Sequence, residues 1–244
     1  MKIILLLFLL FLPNYESYNP ILYKLKNPII SGSSLVIGKI YIKKLSKLNI
    51  NPNLSRKLIH ITCAPTFMSS WVFYNNYLTK YWVTSVPFLS SFYLIYKKND
   101  LKQTISRSGH SNELLKGPLI YTILLTYITF KYWLYSEIGI ISMLQLSIGD
   151  GFADIIGRKH GNHKWIFNKK KSIEGSVGFF VSSFLFSIII FNYFKLFGYN
   201  FSINICKLFL ISLCSSFIEL IPYVDDNLTI PIFNILFYRK IYNL

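Results

Sequence analysis

Acidic residues are scarce in this chain: ten Asp and Glu stand against 26 Lys and Arg in 244 residues, for a formal net charge of +16. Only 15% of residues are charged, while 52% are hydrophobic and 18% aromatic, and the mean hydropathy is +0.42. That balance leaves too little polar surface for an ordinary soluble domain. It also removes nucleic acid as a partner, since that needs a soluble basic surface and none is present. Cysteine is equally sparse. Cys63, Cys206 and Cys214 all sit in apolar surroundings, with no CxxC pair and no Cys/His cluster. A disulfide framework and a zinc site are therefore not indicated, and the thiols read as buried. No internal repeat, long linker or soluble domain is visible.

What the chain does have is apolar runs, near 58–76, 81–96, 118–135, 137–155, 175–194 and 203–221, with a weaker one at 28–42 and a short one at 228–238. In hydrocarbon the backbone must satisfy its own hydrogen bonds, so runs of this length predict helices. The expected fold is all-α, a polytopic transmembrane helix bundle of about six to seven spans that takes the lipid bilayer as its partner. Residues 1–19 open with Lys2, a short apolar run and Pro13, and read as a signal sequence or signal anchor. A basic leader with a weak first span follows over 20–54. Tyr18 to Lys57 contains no acid, a composition that resembles a plastid-targeting leader. The membrane domain is assigned to 55–244.

Charge separates the loops into two sides. Lys43, Lys44, Lys47, Arg56 and Lys57 fall in one loop, Lys97, Lys98, Lys102, Arg107 and Lys116 in the next but one. Arg158, Lys159, Lys164, Lys169, Lys170 and Lys171 fall in the next but one again. The intervening loops carry only Lys80, Lys131 and Lys195. By the positive-inside rule the basic side faces the cytosol or an organelle stroma. Every other polar constellation falls on that same side, which hydropathy alone does not require.

The densest constellation is 149–178. Asp150 and Asp154 end an apolar span at i and i+4, so on a helix they share a face. Ion pairing with the basic loops is one reading. Magnesium ligation is favoured, because an ionisable group in a membrane helix is a functional candidate and Mg2+ takes one or two carboxylates plus substrate phosphates. Gly149, Gly151 and Gly157 flank the acids. They either let backbone amides approach phosphate or let helices pack closely. Arg158 follows. Lys171, Ser172, Glu174, Gly175 and Ser176 open the next span, where Ser172 can cap a helix whose N-terminus attracts anions; Lys169 and Lys170 need be no more than topology signals. Three further clusters complete the set: Arg56, Lys57 and His60; a loop with Arg107, Glu113, Lys116, Gly117 and Pro118; and Glu219 inside an apolar run followed by Asp225, Asp226 and Asn227. An unpaired Glu219 would be costly to bury, so it needs a cation or a substrate hydroxyl.

These four clusters in this order resemble the polyprenol kinase family, most closely its phytol and farnesol kinase branch, with dolichol kinase a more distant relative. Arg56-Lys57-Leu58-Ile59-His60 is similar to the family's RKxxH. Glu113 to Leu119, Gly149 to Asp154 with Gly157 and Arg158, Lys171 to Ser176, and Glu219 with Asp226 to Pro231 are similar to its later signatures. The segment Lys159 to Lys170 does not align residue by residue. The resemblance implies transfer of the γ-phosphate of a nucleoside triphosphate, usually CTP, to an isoprenoid alcohol such as phytol, farnesol or geranylgeraniol. The residues themselves supply a compatible site, in which Asp150 and Asp154 would hold Mg2+ on the phosphates and Arg56, Arg158 and Lys171 would neutralise charge. Glu174, Glu219 or Asp226 would orient the alcohol or take its proton. Two other classes stay open: a membrane cytidylyltransferase making a CDP-lipid, and a transporter of anions or lipid phosphates. A plastid membrane or the endoplasmic reticulum membrane is the expected location.

Overall fold

Every residue from 141 to 150 is buried. A helix buried on every side lies in the middle of its fold, and this one does, with Ser142, Gln145, Ser147 and Asp150 buried among its apolar side chains. The computed structural model describes residues 20–48, 50–74, 79–106, 109–134, 136–222 and 225–242, and these form helices without a named strand. In chain order they are α1 (Pro20–Ser46), α2 (Pro52–Ser69), α3 (Lys80–Tyr96), α4 (Lys98–Ile105), α5 (Gly117–Tyr132), α6 (Glu137–His160), α7 (Ile173–Leu196), α8 (Ile205–Ile218) and α9 (Asp226–Tyr242). The central α6 packs against α2, α5, α7, α8 and α9. The all-helical expectation therefore holds. The apolar runs read from the sequence fall on α1 to α3 and α5 to α9. The leader expected over 1–19 and the side chain of Arg107 lie outside the described residues.

Local chemistry sets the helix ends. Asn51 caps α2, its side chain accepting from the Asn53 amide, with Pro52 in the first turn. Ser172 caps α7 by accepting from the Gly175 amide at 3.1 Å, and Asn204 caps α8 through the Lys207 amide. Prolines lie inside α1, α2, α3 and α9 (Pro28, Pro65, Pro87 and Pro231).

Among the described residues two helices, α6 and α7, are long and apolar enough on their own to cross a membrane. They differ in what surrounds them. α6 is enclosed by its neighbours, whereas α7 shows Ile173, Val177, Val181, Leu185 and Ile189 outward at four-residue intervals, all exposed. Phe88 and Phe92 of α3 and Ile123, Tyr127 and Phe130 of α5 are exposed as well.

The two ends of the bundle are built differently. One end closes on aromatic rings and the carboxylate of Glu137. Tyr199 donates to the Tyr74 carbonyl, the Tyr74 and Trp133 rings meet edge-on, and Glu137 accepts from Tyr238 at 2.7 Å and from the Ser202 amide at 3.0 Å. The other end gathers the start of α2, the 109–118 loop, the middle of α6, the 161–172 loop and the α8–α9 junction. The chain beside the first two basic loops reaches this end as well, Ile42 and Ile59 packing against the cluster of Leu94, Leu101, Ile105 and Leu114.

Candidate active site

The site starts from one buried ion pair. Asp150 lies within α6, immediately after a π-helical turn at Gln145–Gly149; such local widenings of a helix recur at functional sites. Lys57 of α2 donates to Asp150 Oδ2 at 2.6 Å, and both side chains are 4% exposed. His60, one turn further along α2, places Nδ1 3.6 Å from the same oxygen and stacks on Tyr121 with centroids 3.8 Å apart. A second cation enters from the 161–172 loop. Lys171 contacts Glu219 at the end of α8 and Asp226 at the start of α9, the latter at 3.4 Å. Burial works to lower the Lys171 pKa, but Glu219, Asp226 and Asp150 outweigh it, so the ammonium is held above the ordinary lysine value.

The result is a cluster of carboxylates from three helices. Oxygens of Asp150, Glu219 and Asp226 lie within 4.8 Å of one another. Like charges at that spacing persist only with cations between them, and Lys57 and Lys171 supply two. Above the cluster is an open cleft of about 560 Å³. Its walls bring together Arg56, Glu113, Lys116, Gly117, Pro118, Lys171, Glu219, Asp226 and Asn227, together with Lys169 and Lys170. The approach is close at Gly117, where a Cβ would stand 3.6 Å from both Arg56 Nη1 and Asn227 Nδ2. Residues of all four sequence clusters, spread along the chain from Arg56 to Asn227, thus line one cleft, and Asp150 joins Glu219 and Asp226 beside it.

The donor chemistry suits a hard divalent cation. Asp150, Glu219 and Asp226 offer carboxylate oxygens, and Asn227 Oδ1 is buried with no hydrogen-bond partner among the described residues. That is the oxygen-only set magnesium prefers. The set differs from the pair expected from the sequence. Asp154 shares the helical face as the i, i+4 spacing predicts, but its carboxylate is taken by Arg158 at 2.9 Å, where the arginine is half exposed. The partners that reach Asp150 come from α8 and α9, which spacing along α6 cannot reveal.

Other expected residues are placed away from the cluster. Glu174 accepts from the His163 amide at 3.0 Å and faces its imidazole at 2.7 Å, closing the base of the 161–172 loop. Ser172 is a helix cap, and Ser176 accepts from Trp165 Nε1 at 3.0 Å. The glycines are spent on helix packing. A Cβ on Gly149 would meet the ring of the fully buried Phe179 at 2.7 Å, one on Gly151 would overlap Ile61, and Gly157 and Gly175 face each other across α6 and α7. Of the two readings for these glycines, close packing is the one the geometry realises. Two contributors went unread: Tyr121 stacks on His60, and Asn168 ties the basic loop to the Leu220 carbonyl at 2.8 Å. Asp225, read as part of its cluster, orients Asn227 by accepting from its amide nitrogens. Nothing in the sequence separates Tyr121 from the other tyrosines. Asn168, polar in a run of lysines, was the readable signal.

A helical bundle holding a lysine–carboxylate cluster under a basic cleft, beside outward-facing apolar helices, has the parts of an enzyme that handles charged groups at an apolar boundary. Comparison with known proteins makes this specific. A "Probable phytol kinase, chloroplastic" of Zea mays is 36% identical over 217 residues, which is 84% of this chain and 72% of that protein. "Phytol kinase 1, chloroplastic" of Arabidopsis thaliana is 32% identical over 226 residues, 85% of this chain and 74% of that protein. "Farnesol kinase, chloroplastic" of Arabidopsis thaliana is 36% identical over 191 residues, 73% of this chain and 62% of that protein. The chain belongs to the phytol kinase and farnesol kinase family, a family of lipid alcohol kinases. No family model matches the chain, and no solved structure does.

Proposed function

We propose that this protein phosphorylates an isoprenoid alcohol such as phytol, farnesol or geranylgeraniol to its monophosphate, with CTP as donor, at the basic face of a plastid membrane. The observation that carries the proposal is the convergence of Asp150, Glu219 and Asp226 with Lys57 and Lys171 beneath a cleft walled by basic side chains. Phosphoryl transfer asks for positioning and charge neutralisation, with little covalent chemistry from the protein. Arg56, Lys116 and Lys171 would hold the polyphosphate. Asp150, Glu219 and Asp226 would hold Mg2+, which would supply the charge neutralisation that phosphates need among carboxylates. The alcohol oxygen attacks the γ-phosphorus, the bond to the β,γ-bridging oxygen breaks, and CDP leaves. Glu219 or Asp226 takes the hydroxyl proton. Lys171, held charged between them, sets which carboxylate is free to do so.

The exposed apolar faces of α3, α5 and α7 support the membrane reading, and the sequence runs support six to seven spans, with the cleft at the stromal or cytosolic end. The isoprenoid tail then lies along the apolar helices with its hydroxyl at the cleft. The test is incubation of membranes holding the protein with Mg2+, labelled CTP, UTP or ATP, and phytol, farnesol, geranylgeraniol or dolichol. Formation of a prenyl monophosphate with CDP, abolished by EDTA and restored by Mg2+, is the expected result. Pyrophosphate with a CDP-lipid instead would make the protein a cytidylyltransferase.

A further inference from the structure

The 161–172 loop has an order that its charge alone does not call for. It is a short hairpin in which Lys164 and Ser172 form an antiparallel bridge, the Ile173 amide donates to the His163 carbonyl at 2.9 Å, and the Trp165 amide donates to the Lys171 carbonyl at 3.2 Å. Side chains fix it to the bundle. Trp165 donates to Ser176 and packs edge-on against Phe217, and Asn168 reaches the Leu220 carbonyl. Despite this anchoring, the tip is bare and apolar: Ile166 is 94% exposed and Phe167 64%. Lys164, Lys169 and Lys170 surround it, all exposed. The nearest acid in sequence, Glu174, is engaged by His163. The hairpin runs directly into the exposed stripe Ile173, Val177, Val181, Leu185 and Ile189 of α7.

A rigid apolar tip ringed by cations, continuous with an outward apolar helix face, matches the boundary between acyl chains and anionic headgroups. We infer that this hairpin is an interfacial anchor. Ile166 and Phe167 enter the outer acyl region of an anionic leaflet, and Lys164, Lys169 and Lys170 lie against lipid phosphates. The inference rests on the membrane-spanning reading above. Phe167, Lys169 and Lys170 also line the cleft, so anchoring the tip fixes the cleft mouth at headgroup depth, where an apolar-tailed alcohol presents its hydroxyl.

The test uses the full chain in nanodiscs, with Ile166→Trp read as the difference from the unchanged chain. Lipids brominated near the headgroup should quench the added fluorescence, more strongly when phosphatidylglycerol is included. Replacing Lys164, Lys169 and Lys170 by Gln should weaken tip partitioning by roughly fivefold per lysine. A tip that stays unquenched in a chain resisting carbonate extraction overturns the anchor and leaves the membrane reading intact. Extraction of the unchanged chain by carbonate overturns both. Shielding of the tip by added CTP, with Ile166→Ser and Phe167→Ser raising only the KM for CTP, reassigns the tip to the nucleotide and overturns the anchor as well.

Discussion

Replacing Asp150 by Asn removes the charge that Lys57 faces while keeping nearly the same volume. Both side chains of the pair are 4% exposed and 2.6 Å apart, so screening by solvent is negligible and the buried-pair regime applies. Stranding one member of such a pair costs about 3–5 kcal/mol. Glu219 and Asp226 lie within 4.8 Å of the lost carboxylate and offer Lys57 a partial replacement, which places the expectation near the lower bound. For a chain of this length each kcal/mol moves Tm by roughly 2–4 °C, so about 6–12 °C is expected in thermal unfolding of the detergent-solubilised protein. The double replacement Lys57→Met with Asp150→Leu removes both charges and keeps apolar volume, and should recover most of that loss, since buried pairs replaced by packed apolar groups are often neutral. Neither variant should phosphorylate: loss on the order of 100-fold or more is expected where a group stabilising transferred charge is removed. The reasoning is refuted if the double variant is as unstable as Asp150→Asn, or if Asp150→Asn keeps its CTP-dependent activity.

Lys171→Gln should raise the KM for the nucleotide at least tenfold, with Lys171→Arg recovering part of the loss; equal failure of both, with unchanged KM, would assign Lys171 to folding alone. Arg158→Ala and Asp154→Ala break a partly exposed i, i+4 pair worth about 0.3–0.5 kcal/mol, so kinase activity should stay within about twofold, and a collapse would return Asp154 to the metal set. Gly149→Ala drives a methyl into the Phe179 ring, for a cost of about 1–3 kcal/mol. Phe179→Leu should relieve it in a melting experiment, whereas lost activity at unchanged Tm would show a ligand at Gly149. Ser172→Ala removes the α7 cap and should cost about 1 kcal/mol, read from the same melting curves.

The helices were legible because each apolar run is local: α3, α5, α7 and α8 begin and end within a few residues of where composition shifts. The sidedness of the site was legible for a related reason, since alternate loops must return to the same end of a bundle. The partners within the site were not. Asp150 and Asp154 look like a pair along the chain because four residues bring side chains to one face. Which of them is buried depends on where α2, α8 and α9 cross α6, and no spacing within α6 encodes those crossings. The glycines show the same limit. Gly149 and Gly151 resemble a phosphate loop in sequence, yet they lie inside a continuous helix, where a missing Cβ admits the Phe179 ring and the Ile61 side chain. One physical cause joins the two outcomes. Those glycines let α2 and α7 come close to α6, and the close approach of α2 is what places Lys57 against Asp150. The Gly-Asp-Gly run thus serves the site indirectly, by setting the distance at which the buried ion pair forms.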